Sequence, residues 1–158
     1  MSLEIERKFL VKEIPANLDI SDKYEISQNY LAIGKEEIRI RCVIKNCISY
    51  YYFTYKNGLG FKREEFECEI YSQTYDQICD FIKTIPLTKT RYLIPHRDLL
   101  NGGLLIELDK YNQFDLIVAE VELLDENDKF IPPDWFGEEV TGKKEYSNQY
   151  LWKQIQID

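Results

Sequence analysis

Charged residues recur at every second position of this chain, inside stretches whose intervening residues are apolar. The opening "EIERK" places Glu4, Glu6 and Lys8 on one face of an extended strand. Leu3, Ile5, Phe9 and Val11 point mostly the other way, with Arg7 interrupting the apolar row. The same alternation sets Arg39 and Arg41 opposite Ile38, Ile40 and Cys42, and Thr54 and Lys56 opposite Phe53 and Tyr55. Arg63, Glu65, Glu67 and Glu69 oppose Phe66, Cys68 and Ile70. Glu107 and Asp109 oppose Ile106 and Leu108, and Glu120 and Glu122 oppose Ala119, Val121 and Leu123. A period of two is the signature of a strand, so the fold class is mainly β, α+β, with one wet face and one apolar face per strand.

Turn chemistry divides the chain into eight such segments. They are the opening strand, "ISQNYLAI", "EIRIRCVI", "CISYYYFTYK", "GFKREEFECEIY", "KTRYLI", "GLLIELDKY" and "LIVAEVELL". "EIPANLDI" reads as a loop or short helix. Turns are expected at Gly34-Lys35, at Asn57-Gly58 and at Asn101-Gly102-Gly103, with Gly58, Gly60, Gly102 and Gly103 in turn roles. A helix from about Thr74 to Thr84 carries the apolar stripe Tyr75, Ile78, Cys79 and Ile82. Thr74 and Gln77 form its capping box and Pro86 stops it. "PPDWFGEEV" predicts a short helix starting at the prolines, and "SNQYLWKQIQI" a last helix capped by Ser147.

Eight antiparallel strands are enough to close a barrel, which removes exposed edges. The ordinary closure puts apolar rows inside. Two features favour the inverted closure, a tunnel with a charged interior. Helices 74–84 and 147–156 are available to cover an apolar outer wall, and the charged rows repeat like-charged pairs. Residues two apart on a strand stand about 6.5–7 Å apart. At that spacing an Arg-x-Arg pair grips neighbouring phosphoryl groups, and a Glu-x-Glu pair supplies hard oxygen ligands for Mg²⁺ or Mn²⁺.

Composition narrows the partners. The 158 residues are 44% hydrophobic and 30% charged, with no linker or repeat, as expected of a single domain spanning 1–158. A net charge of −8 argues against nucleic acid and acidic membranes as partners, so a polyanionic ligand needs a local concentration of basic residues. Neither a membrane span nor a signal region is evident, and the expected location is the cytoplasm. Cys42, Cys47, Cys68 and Cys79 lack CxxC spacing and read as small buried hydrophobes in a reducing compartment. His96 is the only histidine and reads as a bystander, so no Ser-His or Cys-His pair is available; no Walker pattern occurs.

"EIERK" resembles the ExExK signature of the CYTH superfamily, the triphosphate tunnel metalloenzymes, and "EIERKFLV" is most similar to its small bacterial tripolyphosphatase branch. The resemblance continues through "QNYL", "IRIR", "TYKNG", "REEFECEI", "KTRY", "AEVEL" and "EEVTG" to "YSNQYL", in the family's order over almost the whole chain. It implies an eight-stranded antiparallel tunnel with helices outside and a triphosphate threaded through it.

Carried over position by position, the resemblance implies a divalent metal, Mg²⁺ or Mn²⁺, held by Glu4, Glu6, Glu120 and Glu122. Lys8, Arg39, Arg41, Lys56, Arg63 and Arg91 match basic substrate-binding positions. Glu65, Glu67, Glu107 and Asp109 match further acidic positions, for a second metal or an ordered water. Lys8, Glu65 and Glu67 are the catalytic candidates, either glutamate orienting the water. Glu145 departs from the family, whose members often carry a basic residue before the Tyr-x-Asn element; Lys143 or Lys144 is the candidate substitute.

A triphosphate carries about four or five negative charges near neutral pH, so cations along it offset repulsion of the attacking hydroxide. The expected reaction is metal-dependent hydrolysis of tripolyphosphate to diphosphate and phosphate. The alternatives are a nucleoside or thiamine triphosphatase, with Tyr50, Tyr52 or Trp135 stacking on the organic group, and a class IV adenylate cyclase. A polyphosphate-binding module is the non-enzymatic alternative, and a complete acidic metal set argues against it.

Overall fold

The computed structural model describes residues 2–156 except Gly60, Leu99 and Asn101. The turn roles expected of Gly60 and Asn101 lie outside the described residues. Eight strands form a closed antiparallel barrel. They are β1 (Ser2–Leu10), β2 (Asp22–Ala32), β3 (Glu36–Lys45), β4 (Ile48–Asn57), β5 (Lys62–Glu69), β6 (Leu87–Asp98), β7 (Gly102–Tyr111) and β8 (Ile117–Glu122). Around the barrel the order is β1-β5-β4-β3-β2-β6-β7-β8. Two α-helices accompany it, α1 (Ser72–Ile82) and α2 (Asn148–Ile155). Among the described residues, no helix is long and apolar enough to cross a membrane.

The barrel is inverted, as the paired charges predict. Ile5, Phe9, Ile94, Ile106, Leu108, Ala119 and Val121 form an apolar core outside the bore. Its cover is not helical, contrary to expectation. Ile14 and Leu18 from the β1–β2 connection, and Leu123, Phe130, Trp135 and Phe136 from the segment after β8, pack over β1, β6, β7 and β8. The outer face of β3, β4 and β5 is covered less. α1 lies on it through Tyr75, whose ring packs 4.9 Å from that of Tyr51, while Phe66 stays exposed and Ile38 half-buried.

α2 does not cover the outer wall either. Its Leu151 packs with Leu87, Tyr111, Val118 and Leu10. Those four belong to the inward rows, two residues from Lys89, Asp109, Glu120 and Lys8, so α2 fills part of one end of the bore. Ser147 caps α2 as expected, its hydroxyl accepting from the Tyr150 N–H.

Other elements differ in instructive ways. α1 begins at Ser72 without a side-chain cap, so the Thr74/Gln77 box is not used, and Lys83 in the left-handed conformation ends it ahead of Pro86. No helix forms at "PPDWFGEEV". There β5 leaves the edge of β1 after Glu6, and the segment 137–140 takes its place. Gly137 donates to the Leu10 carbonyl at 2.7 Å and Val140 to that of Lys8 at 2.8 Å. A Cβ on Gly137 would lie 2.9 Å from that Leu10 oxygen, so only glycine permits the approach. Asn46 and Cys47, both at positive φ, form a two-residue β3–β4 turn, which puts Cys47 outside the strand expected for it. Cys47 and Cys68 are exposed and Cys42 and Cys79 half-buried; all four are free thiols, so the expectation of burial fails. Pro95 sits in β6 beyond Leu93, where pairing with β2 has ended and the missing N–H leaves no ladder bond unmade.

Candidate active site

Antiparallel register carries the charged rows into one space. Glu6 faces Glu122, Lys8 faces Glu120, Glu4 faces Arg63, Lys56 faces Glu65, and Thr54 lies between Arg39 and Glu67. A cavity of about 210 Å³ is lined by Glu4, Glu6, Lys8, Arg39, Arg41, Lys56, Arg63, Glu65, Glu67, Arg91, Glu107, Glu120 and Glu122. Every residue expected to bind metal or substrate, or to act in catalysis, thus lies around a single cavity. Asp109 is the exception among the acidic positions. It is fully buried and bound by Arg91 at 2.7 and 2.8 Å and by Lys89 at 2.6 Å, so it holds two cations in place and does not line the cavity. Arg91 also pairs with Glu107.

Three cavity residues escape the sequence reading. Glu37 is buried and pairs with Arg39 at 3.7 Å and Arg63 at 3.4 Å. Ser147 and Asn148 bring the N-terminus of α2 to the cavity wall. Next to it, fully buried Lys89 donates to the Asn148 side-chain oxygen at 3.2 Å. Glu37-x-Arg39-x-Arg41 and Lys89-x-Arg91 continue the inward rows by two residues, a signal that was present in the sequence. Lys143 and Lys144 do not reach this cavity; they line a vestibule at one end of it. Trp135 packs on the outer wall against Phe136, and Tyr50 lies against Lys45, whose amine is 5.6 Å from its ring. His96 packs edge-on to Phe130, away from the cavity.

Charge is unevenly compensated within the cavity. Lys56 lies 2.9 Å from both oxygens of Glu4 and Arg63 3.4 Å away; burial would raise Glu4, but these cations hold it down to about 2. Lys8, 3.4 Å from Glu120, together with Arg91 and Lys89, outweighs burial and holds Glu120 well below the usual carboxylate range. Glu6 is the opposite case. Burial, with Glu120 and Glu4 beside it, pushes it up to about 8. Glu65 is raised to about 7 by burial and its hydrogen bond with Glu4.

On the basic wall, Arg41 donates at 3.1 and 2.9 Å to the neutral Gln28 amide oxygen, which in turn is held by a bond from Gln28 to the Tyr30 hydroxyl. Burial and the neighbouring Arg39 and Arg91 pull Arg41 down to about 10. Among the described residues the cavity therefore has an arginine with no ion pair on one wall and a carboxylate with none on another.

No three ligating side chains converge into a ready metal cage among the described residues. Glu4 is turned onto Lys56 and Arg63. The donor set nonetheless suits a divalent cation: four glutamates lie around one cavity, Glu6 makes no ion pair among the described residues, and a buried oxygen of Glu120, 3.4 Å from the Lys8 amine, makes no hydrogen bond.

Comparison with known proteins follows the same line. The inorganic triphosphatase of Nitrosomonas europaea is 35% identical over 152 residues, covering 94% of this chain and 95% of that protein. The chain belongs to the inorganic triphosphatase family. The Acetivibrio thermocellus member is 32% identical over 158 residues, covering 97% of this chain and 95% of that one. Among solved structures, the crystal structure of the inorganic triphosphatase NE1496 matches with a TM-score of 0.61 and 33% identity, over 96% of this chain and 95% of that chain. The PH1819 protein of Pyrococcus horikoshii shares the fold, with a TM-score of 0.60 at 19% identity over 78% of this chain and 80% of that chain. No family model matches the chain. Family membership agrees with the tunnel resemblance read from the alternating rows.

Proposed function

We propose that this protein hydrolyses inorganic triphosphate to diphosphate and phosphate with Mg²⁺ or Mn²⁺. The observation that carries this reading is Arg41, half-buried beside Arg39 and Arg91 and donating, among the described residues, to a neutral amide. Such a site is completed by an anion with several closely spaced charges. The names of the relatives support the choice of triphosphate.

Arg39, Arg41 and Arg91 bind phosphoryl oxygens on one wall, and Lys8, Lys56 and Arg63 on the other. Glu4, Glu6, Glu120 and Glu122 are the residues that would hold the divalent cation, which when bound supplies a Lewis acid to the phosphoryl group and the attacking water. Glu65 orients that water and takes its proton, a role that suits a carboxyl raised to about 7. Thr54 and Arg39 hold Glu67, at 2.7 and 3.8 Å, as a support for Arg39. The water oxygen bonds to the terminal phosphorus, the bridging P–O bond breaks, and diphosphate leaves with its new charge spread over the arginines.

The test is phosphate release from tripolyphosphate, ATP and thiamine triphosphate, each with Mg²⁺, Mn²⁺ and no metal. Metal-dependent release with tripolyphosphate preferred is the expected outcome. Tight binding without turnover would identify a polyphosphate-binding module instead.

A further inference from the structure

The bore opens onto a vestibule of about 390 Å³, with which it shares Glu6, Lys8, Arg63 and Ser147. The vestibule lies between the β2–β3 and β4–β5 turns and α2. Its charged lining is Lys8, Lys35, Arg63, Lys143, Lys144 and Lys153, with Glu6 the only carboxylate among the described residues. The opposite end, where β5 and β8 finish, mixes signs, with exposed Glu67, Glu69 and Glu122 alongside Lys23 and Lys45. In a chain with 28 acidic and 20 basic residues, so cationic a lining at one end runs against composition. Lys143 is paired with Glu138 at 2.6 Å, whereas Lys35, Lys144 and Lys153 have no ion pair among the described residues.

We propose that this vestibule is the port by which the polyanionic substrate enters, Lys35, Lys144 and Lys153 drawing it in and Lys8 and Arg63 receiving it. The inference rests on the triphosphatase reading and adds a direction of entry to it. Cations around one opening focus the field there and raise the encounter rate with a multivalent anion, in proportion to its charge. They lie outside the bore, so they act on association and not on the bond-breaking step. Salt weakens the effect once the screening length falls to about 3 Å near 1 M.

The experiment compares Lys35→Glu/Lys144→Glu with a control of equal net charge at the far end, Lys23→Glu/Lys45→Glu. At low ionic strength the port variant should lose about tenfold in kcat/KM for tripolyphosphate, with kcat within twofold, and the deficit should close at high salt. The milder Lys35→Gln/Lys144→Gln should fall in between. The proposal is overturned by an unchanged kcat/KM, by an equal loss in the control, or by a deficit that persists at high salt. If the unmodified protein does not turn tripolyphosphate over, the function reading fails. Stopped-flow binding of tripolyphosphate by the same variants then still reads the port.

Discussion

Lys89 and Asp109 meet at 2.6 Å with neither side chain reaching solvent. Burial pulls Lys89 down to about 7, Asp109 only partly offsetting it, and Arg91 and Arg41 push the same way. Asp109 is also held by Arg91, which keeps it ionised.

The sign of the resulting pH dependence follows. Between about 7 and the ordinary 10.5, the unfolded chain carries a proton on Lys89 that the folded chain lacks. The cost of burying this amine is therefore full below 7 and relieved as pH rises towards 10.5. Melting temperatures of wild type and Lys89→Met from pH 6 to 10 should show wild type gaining on the variant above pH 7. Parallel profiles would show that Lys89 keeps its proton throughout.

Arg39 and Arg41 should separate. Among the described residues Arg41 has no carboxylate partner, so Arg41→Ala leaves stability unchanged or raised while kcat/KM falls by 10² or more, about 3 kcal/mol of transition-state stabilisation. Arg39 supports Glu37 and Glu67, and its loss leaves buried Glu37 less compensated. Arg39→Ala should cost about 3 kcal/mol of stability as well as activity. Urea titration beside steady-state kinetics distinguishes the two, and equal stability losses would contradict the assignment.

Glu6→Gln should abolish metal-dependent turnover with the barrel intact. Gln mimics the protonated acid that Glu6, raised to about 8, presents near neutral pH without metal. Between 4.5 and 8 the folded chain holds a proton that the unfolded chain releases, so this group's stabilising contribution falls as pH rises, a slope the variant should lack. Tripolyphosphate binding without metal should survive. Ordinary turnover by the variant would remove Glu6 from the metal set.

Leu151 fills part of one end of the bore, against Leu87, Tyr111 and Val118 and beside the vestibule. Leu151→Ala should cost about 2–5 kcal/mol, read by thermal or denaturant unfolding. A loss below about 0.5 kcal/mol would place α2 among the surface elements, where substitutions cost little.

The legible part of this molecule was the part that repeats. Alternation fixes which residues share a face, and paired like charges tell which face is inside, because Glu4-x-Glu6 or Arg39-x-Arg41 has no use in water. What alternation leaves open is who meets whom. Lys89 lies in the same row as Arg91, but its bond to Asp109 depends on the β6–β7 register. α2 has an apolar stripe that fits an outer wall as well as a bore, and only the end at which the chain returns decides. The short helix expected at the prolines failed because β1 had an edge to be satisfied, a demand made by a strand more than a hundred residues earlier. Cys47 was misplaced because asparagine followed by cysteine is a weak sign of a left-handed turn.

The returning segment 137–140 bears on how the barrel assembles. β1 pairs β8 on one side, and on the other it passes from β5 to residues near the C-terminus. β5 can reach the first half of β1 early and set Glu4 opposite Arg63, but β8 and the segment 137–140 lie far down the chain, so Glu6 and Lys8 wait for their neighbours while β2, β3, β4 and β5 zip up as consecutive hairpins. Such long-range closure is slow, and it comes last. The same event that shuts the barrel brings Glu6 beside Glu122 and Lys8 beside Glu120, so there is no partly folded form in which the carboxylates are assembled and the fold is not.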